Sequence, residues 1–488
     1  MGSLPELPSS TDVVIVGGGV CGCFIARELA RYEIDIVLIE KGSDVCDGAS
    51  KGNGGTIHSG VNTDHGTLKA KLCVPGNRVF PQVAEELCVP LKTTGSLIVA
   101  TTEKELPLLE EMLANGKRNG VADAEIVARD EIKRLEPNVE AISAISAPSL
   151  RIVCPQRLVF ALADNAASNG ASIHVGTEAT GITVEDGKAT AVQTNRGEIH
   201  TRFVVNAAGV HAYRIAQMAG VCDFRIISRK GEYYVLDKTA QLVGRNVFPL
   251  PTEASKGACV FPSVDGNNLV GPNSDVVEDC EDTATTASVR RRVFELGRRF
   301  VPSLREDDVI SSFAGVRPVS ESGDFIIGPT AVEGFINCAG IQSPGLTAAP
   351  AIAEMIVGII GERTELKEKK NFRPTRKKAP RFADCTASQR AKLIRCDPRH
   401  AHIVCRCETV TEKEVIDAIH QGIGTRTLNG IKFRTRAGMG RCQGGFCRSR
   451  VAAILARELD VPLRDVTMRG EGSSLFVGGT KDLRGFGA

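Results

Sequence analysis

Four cysteines near the C-terminus stand at spacings that can hold a metal: Cys405 and Cys407 as C-x-C, Cys442 and Cys447 as C-x4-C. Each close pair can chelate locally, and a fold that joins the pairs makes a four-thiolate centre, which serves zinc and an iron-sulfur cluster alike. C-x-C is the less usual spacing for structural zinc, where C-x-x-C prevails. At the other end of the chain, Gly17, Gly19 and Gly22 follow the apolar run Val13 to Val16 at G-x-G-x-x-G spacing. Glu40 stands 18 residues beyond the last of them. The first glycine permits a tight turn, the second lets backbone approach a pyrophosphate, and the third lets a helix pack on a strand. Glu40 can then accept from a ribose hydroxyl.

Those residues need a βαβ unit to position them. Cys23 to Arg31 reads as the helix and Ile34 to Ile39 as the second buried strand, with Val20 and Lys41 as flanking cofactor contacts. The chain of 488 residues has room for about three domains on the length prior. Its 42% apolar and 24% charged residues are those of a soluble globular protein. A net charge of +2 gives no electrostatic case for nucleic acid. There is no run of about eighteen uncharged apolar residues, and the N-terminal MGSLPELPSSTD lacks a basic region followed by an apolar one. The expectation is a cytoplasmic protein with no integral membrane segment. Sixteen cysteines spread along such a chain argue for reduced thiols and ligation over disulfides. Cys21, Cys73, Cys154, Cys222, Cys259 and Cys338 read as buried small hydrophobes, and Cys385 and Cys396 have no assignment.

Beyond Lys41, residues 47–62 (DGASKGNGGTIHSGVN) are too rich in Gly, Ser and Asn for regular structure and are placed to run along a cofactor. This stretch resembles the FAD-dependent oxidoreductases of the D-amino-acid oxidase and glycerol-3-phosphate dehydrogenase type. Ser50, Asn53, Gly54, Gly55 and His58 match the family segment that lines the flavin. His58 is either a structural histidine bonding a loop carbonyl or a general base beside the flavin. Helical stretches Glu103 to Asn119, Asp130 to Leu135 and Pro155 to Asn169 follow, with a strand-like piece from Ser96 to Ala100. Ser172 to Val175, Thr180 to Glu185, Thr190 to Thr194 and Glu198 to Val205 read as a three- or four-stranded meander. Ala179 at its start is a further cofactor candidate. The meander ends in Asn206 to Gly209, where Ala208 and Gly209 resemble the second dinucleotide signature of such flavoproteins.

Residues 225–312 shift toward strands and suggest an antiparallel cap over the flavin, with a basic helix from Ala287 to Phe300. Within Arg229 to Tyr234, Lys230 and Tyr233 are candidates to face substrate, because the string is similar to a family segment bordering the active site. Residues 313–329 (FAGVRPVSESGDFIIGP) carry the G-x-R-P element whose arginine, in the family, holds the substrate's anionic group. Arg317 suits that task, since a guanidinium grips a carboxylate or phosphate in two places. The plain alternative for Arg317 is an ion pair with Glu321 or Asp324. Gly340, Gly345, Leu346 and Thr347 fall in a strand, turn and helix whose N-terminus would stabilise the anion of a reduced flavin ring.

Residues 366–395 read as a basic, solvated linker. After it, VCRCETVTEKEVIDAI and TRAGMGRCQGGFC closely resemble the bacterioferritin-associated-ferredoxin-like domain found behind the flavin domain of anaerobic glycerol-3-phosphate dehydrogenase large subunits. That resemblance implies a [2Fe-2S] cluster on Cys405, Cys407, Cys442 and Cys447. The expected architecture is α/β: a Rossmann-like FAD-binding domain over 1–365 with an antiparallel-sheet substrate cap inserted mainly at 80–150 and 225–312. A small helical [2Fe-2S] domain over 396–460 and a tail over 461–488, from which no chemistry is read, complete it. The implied activity is FAD-dependent oxidation of a small anionic substrate, foremost sn-glycerol 3-phosphate to dihydroxyacetone phosphate, with electrons leaving through the cluster to a protein or quinone-linked acceptor. L-2-hydroxyglutarate or another hydroxy or amino acid is the alternative substrate, and an electron-relay subunit without catalysis the alternative role. A partner subunit could hold such a chain at a membrane surface.

Overall fold

The computed structural model describes residues 5–251, 257–377 and 380–478. Its first sheet grows around the strand Ser10–Val16, whose parallel neighbours are Ile36–Glu40 on one side and Gly197–Asn206 on the other. The helix Val20–Leu29 crosses between the first two, giving the βαβ unit the glycine spacing predicts. The last four residues of Ser10–Val16 are buried, as are four of the five in Ile36–Glu40. Two-sided burial is why both strands read as continuous apolar runs. The strand Gly197–Asn206 serves two partners along one edge. Its first half closes an antiparallel meander with Ala179–Glu185 and Lys188–Thr194, and its second half pairs in parallel with Phe335–Ala339. The meander is three-stranded, because Ser172–Val175 lies at the opposite edge, parallel to Ile36–Glu40. Its four residues follow the helix Pro155–Ser168, which delivers them to that far edge, and adjacency in sequence conceals this.

The second sheet has nine strands and forms the cap. Ile226–Leu236 pairs along its whole length with Val309–Ser320, and the remaining strands fan out from it to Ser96–Ala100, Ser143–Ala147 and Glu125–Ala128. One long element was not legible as such. The helix Leu68–Glu86 carries Pro75 and Pro81 inside it, residues that normally break the helical ladder. Its start is fixed by Thr67, whose side chain accepts from the Ala70 amide, and by the Asp324 carboxylate, which accepts from the amides of Leu68 and Lys69. The helix packs against Gly345–Gly361, where Gly76 lies directly under the Thr347 carbonyl.

The basic stretch expected to be a solvated linker is a strap on the flavin-binding domain. The Glu33 amide donates to Lys367, the Lys369 amide donates to Arg31, and Arg376 pairs with Asp164 at 2.7 Å. A helix, Ala387–Cys396, capped by Thr386, follows. The C-terminal domain is a short hairpin, Ile403–Cys405 with Val410–Thr411, and the helices Glu412–His420, Leu428–Thr435 and Arg448–Leu459 around a core that includes Val404, Val415, Ile431, Val451 and Leu455. No helix among the described residues is long and apolar enough to cross a membrane.

Candidate active site

A cavity of about 1070 Å³ runs from the glycine turn to the inner face of the cap. Gly17, Gly19, Val20, Glu40, Lys41, Ser50, Ala179, Ala208 and Gly209 line one end. Gly22 does not reach it. A side chain there would collide with the Gly17 carbonyl, so Gly22 lets the helix sit on the turn. Both Glu40 oxygens accept backbone amides, from Gly18 and Gly42 at 2.7 Å each. Burial still pushes the Glu40 carboxyl above its ordinary value, with those two amides opposing it. Ser50 Oγ accepts from the Val20 amide at 2.9 Å, which ties the cofactor loop to the helix start. Gly19 is the N-cap of that helix and offers no side-chain acceptor, so the first turn is left for an anion. Lys41 is at the rim, bonded to Glu281 and to His211 Nε2. Arg469 and Glu471, from the tail in which no chemistry is legible, also line this end, held there by Ser43 Oγ donating to the Arg469 carbonyl.

At the other end, the loop Lys51 to Gly54 meets the strand Val309–Ser320. Gly52 and Gly315 approach so closely that a side chain on either would strike the other's backbone. That contact brings Asn53 and Gly54 beside Arg317. Alternation along Ile226–Leu236 then decides which of its residues face the cavity. Tyr233 does, stacked on Phe313 with ring centroids 5.0 Å apart and edge-on to Phe261. Burial pushes its phenol pKa up. Lys230 does not: it is on the opposite face, where Nζ donates to Asp282 at 2.6 Å and stands 3.9 Å from the fully buried Glu232. The expectation that Lys230 faces substrate is therefore corrected by an odd register step from Tyr233.

Arg317 Nη2 donates to the Asn273 carbonyl at 2.7 Å and Nη1 to Ser274 Oγ at 3.2 Å. Neither Glu321 nor Asp324 pairs with it, and among the described residues no carboxylate lies within ion-pair reach. Asn273 Nδ2 is buried with no hydrogen-bond partner, while its Oδ1 accepts from the Glu232 amide. A cation without a counter-ion and a buried donor without an acceptor, both on one cavity wall, are what an anionic ligand would complete. Asn273 and Ser274 lie in GPNS after the strand Asn268–Gly271. As turn residues they carry no signal of a site in the sequence.

His58 lines the cavity. Its ring Nε2 lies 3.3 Å from Ser343 Oγ and its ring centroid 6.0 Å from that of Phe248. Its backbone is fixed on both sides, the amide donating to Thr347 Oγ1 at 2.9 Å and the carbonyl accepting from Asn77 Nδ2 at 2.9 Å. Gly345 and Leu346 line the cavity, whereas Gly55, Gly340 and Thr347 stand behind the lining. Thr347 meets the lining through His58, whose amide its Oγ1 accepts.

The four distal thiols do come together, but they pair across the two motifs instead of within them. Cys407 Sγ is 3.6 Å from Cys442 Sγ, and the Cys405 and Cys447 thiols lie close enough to act on each other's charge. Cys405 and Cys447 are buried; Cys407 and Cys442 are exposed. The Cys447 thiol, against the effect of burial and with help from the amides of Gly438 and Glu408, brings Cys405 down to about 6. The Phe446 and Gly444 amides likewise lower Cys442. Amides aimed at sulfur stabilise thiolates, the ligand form. Among the described residues no three His, Cys, Asp or Glu side chains converge as a single ion requires. Four thiols in two close pairs are a soft, sulfur-only donor set.

The family model for the FAD dependent oxidoreductases matches residues 12–359, and that for the BFD-like [2Fe-2S] binding domain matches 403–457. The glycerol 3-phosphate dehydrogenase of Caloramator mitchellensis is 40% identical, covering 96% of this chain and 99% of that protein. The glycerol 3-phosphate oxidase of Mycoplasma pneumoniae is 33% identical over 72% of this chain and 94% of its own. Human mitochondrial L-2-hydroxyglutarate dehydrogenase is 28% identical over 75% and 92%. Among solved structures, dithionite-reduced L-alpha-glycerophosphate oxidase from Mycoplasma pneumoniae with FAD bound superimposes with a TM-score of 0.73 at 31% identity, covering 76% of this chain and all of that one.

Proposed function

The chain belongs to the family of FAD-dependent oxidoreductases and carries a BFD-like [2Fe-2S] domain behind its flavin-binding part; from that premise we propose that it oxidises sn-glycerol 3-phosphate to dihydroxyacetone phosphate, as a cytoplasmic enzyme whose electrons leave through the cluster domain to a protein or quinone-linked acceptor. The observation that carries the substrate reading is the uncompensated Arg317 beside the partnerless Asn273 Nδ2.

Glu40, Ser50 and the turn Gly17 to Val20 would hold the nucleotide part of FAD, with Ala208 and Gly209 opposite and Gly345 and Leu346 at the flavin end. Cys405, Cys407, Cys442 and Cys447 would hold the cluster. Bound FAD supplies a two-electron acceptor, and a [2Fe-2S] cluster a one-electron outlet. The chain does the rest. Arg317 and Asn273 take the phosphate, offering a fixed fork and a neutral donor that has no other partner. Tyr233, Phe261 and Phe248 wall the site and keep water from the reacting carbon. His58 Nε2 takes the hydroxyl proton, its ring oriented by Ser343 Oγ and by backbone bonds to Thr347 and Asn77.

The test is anaerobic mixing of the flavin-loaded chain with sn-glycerol 3-phosphate, L-2-hydroxyglutarate and small amino acids, following loss of flavin absorbance. Bleaching by glycerol 3-phosphate at the lowest concentration supports the reading. Bleaching by L-2-hydroxyglutarate instead would move the enzyme to the branch of its more distant relatives. Bleaching by none, with reduction by a partner protein, would make it an electron relay.

A further inference from the structure

The cluster loops have an outward side that the reaction itself does not use. Cys407 and Cys442 are exposed, and around them stand Arg406, Arg441, Phe446, Arg448 and Arg450, all exposed. Phe446 is 38% exposed although it is a large hydrophobe. Two guanidiniums flank its ring, Arg406 at 4.5 Å and Arg450 at 4.3 Å from the centroid. Arg441 is neutralised by Asp237. Arg406, Arg448 and Arg450 are not: among the described residues none has a carboxylate within ion-pair distance, and Arg448 donates to the Gln443 carbonyl instead. The whole chain carries only +2, so attraction to an acidic partner would have to come from a patch such as this one and not from net charge. Arginine and an aromatic at the centre of a desolvated contact are the residue types that carry binding energy between proteins.

Resting on the electron-outlet reading above, we propose that this face, centred on Phe446 between Arg406 and Arg450, docks an acidic one-electron carrier protein. The carrier's carboxylates would meet the unpaired guanidiniums, and its redox centre would come to the Cys407–Cys442 side of the site, the side not sealed by the fold. One electron leaves the reduced cluster and enters the carrier per encounter, with no bond made or broken. The Cys405–Cys447 side is buried against the domain core and faces inward. Attraction of this kind acts on the encounter rate and is screened by salt.

The experiment uses the holoenzyme reduced anaerobically with dithionite, so that it does not depend on which small molecule is the substrate. Two acceptor probes are mixed with it by stopped flow: the acidic soluble domain of cytochrome b5 and the basic cytochrome c. Each is compared with itself across ionic strength and against R406E/R450E, so that the unlike potentials of the two probes do not enter. The cytochrome b5 rate should fall as salt rises, and the charge reversal should lower it roughly tenfold or more at low salt while raising the cytochrome c rate. Calorimetric binding of oxidised cytochrome b5 to the oxidised holoenzyme should weaken in the same variant, with the cluster's visible circular dichroism unchanged. Cytochrome b5 rates indifferent to salt and to R406E/R450E would overturn the proposal. So would a faster cytochrome b5 reaction in the variant.

Discussion

Arg436 Nη1 donates to Asp265 Oδ2 across 2.7 Å, and through that pair the cluster domain is bolted to the cap. The connection is a network of buried charges. Asp265 also accepts from Arg157 Nη2 at 2.7 Å, in the helix Pro155–Ser168 of the flavin-binding domain. Arg436 Nε donates to Glu408 at 2.7 Å, and Lys238 and Arg381 reach Glu408 at 2.9 and 3.2 Å. The side chains of Asp265, Glu408 and Arg436 are 7%, 1% and 9% exposed. Arg436 adopts a left-handed backbone conformation, φ +72°, at the end of its helix. Glu408 adjoins Cys407, so the same charges that join the domains also place one of the four thiols proposed to hold the cluster.

Breaking such a network by removing one partner leaves a buried charge uncompensated, at a cost of about 3–5 kcal/mol. Asp265→Asn should therefore loosen the cluster domain while sparing the Arg317 site, whose lining does not include Asp265. Flavin bleaching by substrate should keep its rate, reduction of the cluster should lag behind it, and limited proteolysis should cut near residues 370–377. Unchanged cluster kinetics together with an unchanged cleavage pattern would show that docking does not depend on this pair.

Acid should act on the same joint. Burial alone raises the Asp265 carboxyl, but Arg436, Arg157 and Arg381 outweigh it and hold the group below its ordinary value. Burial is likewise outweighed at Glu408, by Arg436 and Lys238. Both folded values lie below the unfolded ones of about 4, so these groups stabilise the docked state fully above that range, and the stabilisation is lost as pH falls through the folded values. The domains should separate below about pH 4, seen as a rise in the radius of gyration by small-angle scattering. In Asp265→Asn the docked state lacks one of the two titrating groups, and the pH dependence should be shallower.

How much of this was legible follows from which physical signals are local. The turn Gly17 to Gly22, Glu40 and the four cysteines announce themselves because their chemistry requires fixed spacings. Arg317 is placed by a short motif. Lys230 and Tyr233 needed strand register, which a string of charged and aromatic residues does not reveal until one neighbour, here Gly231 against Arg317, is known to face inward. Asn273 and Arg469 reach the cavity only because hairpin and tail fold back upon it, and nothing in GPNS or in the glycine-bearing tail encodes that return. The Cys405–Cys447 and Cys407–Cys442 pairing is likewise a property of the three helices between and behind the motifs.

The register gives a clean contrast. Arg317→Lys should raise KM for an anionic substrate roughly tenfold to a hundredfold, the value of one charge-assisted hydrogen bond, since an ammonium cannot reproduce the fork. Asn273→Leu should raise KM by less. Lys230→Met should leave KM alone and lower the melting temperature, because Glu232 is fully buried and Asp282 would lose its partner. A KM effect from Lys230→Met without loss of stability would return that lysine to the substrate.

His58 is held so firmly by its backbone that a purely structural role must be separated from proton transfer. His58→Asn keeps both backbone bonds, to Thr347 and from Asn77, and removes only the ring. If the ring takes the hydroxyl proton, the rate of flavin reduction should fall by about 10²–10⁴ with little change in substrate affinity. The acid limb of the pH profile, which requires a neutral imidazole, should disappear in the variant. Thr347→Val, which deletes the acceptor of the His58 amide, should lower the rate by less and keep that limb, since it tilts the ring without removing it. A His58→Asn enzyme with the wild-type rate and an unchanged pH profile would assign the proton to another acceptor, and Ser343, 3.3 Å from the ring nitrogen, would be the next side chain to replace.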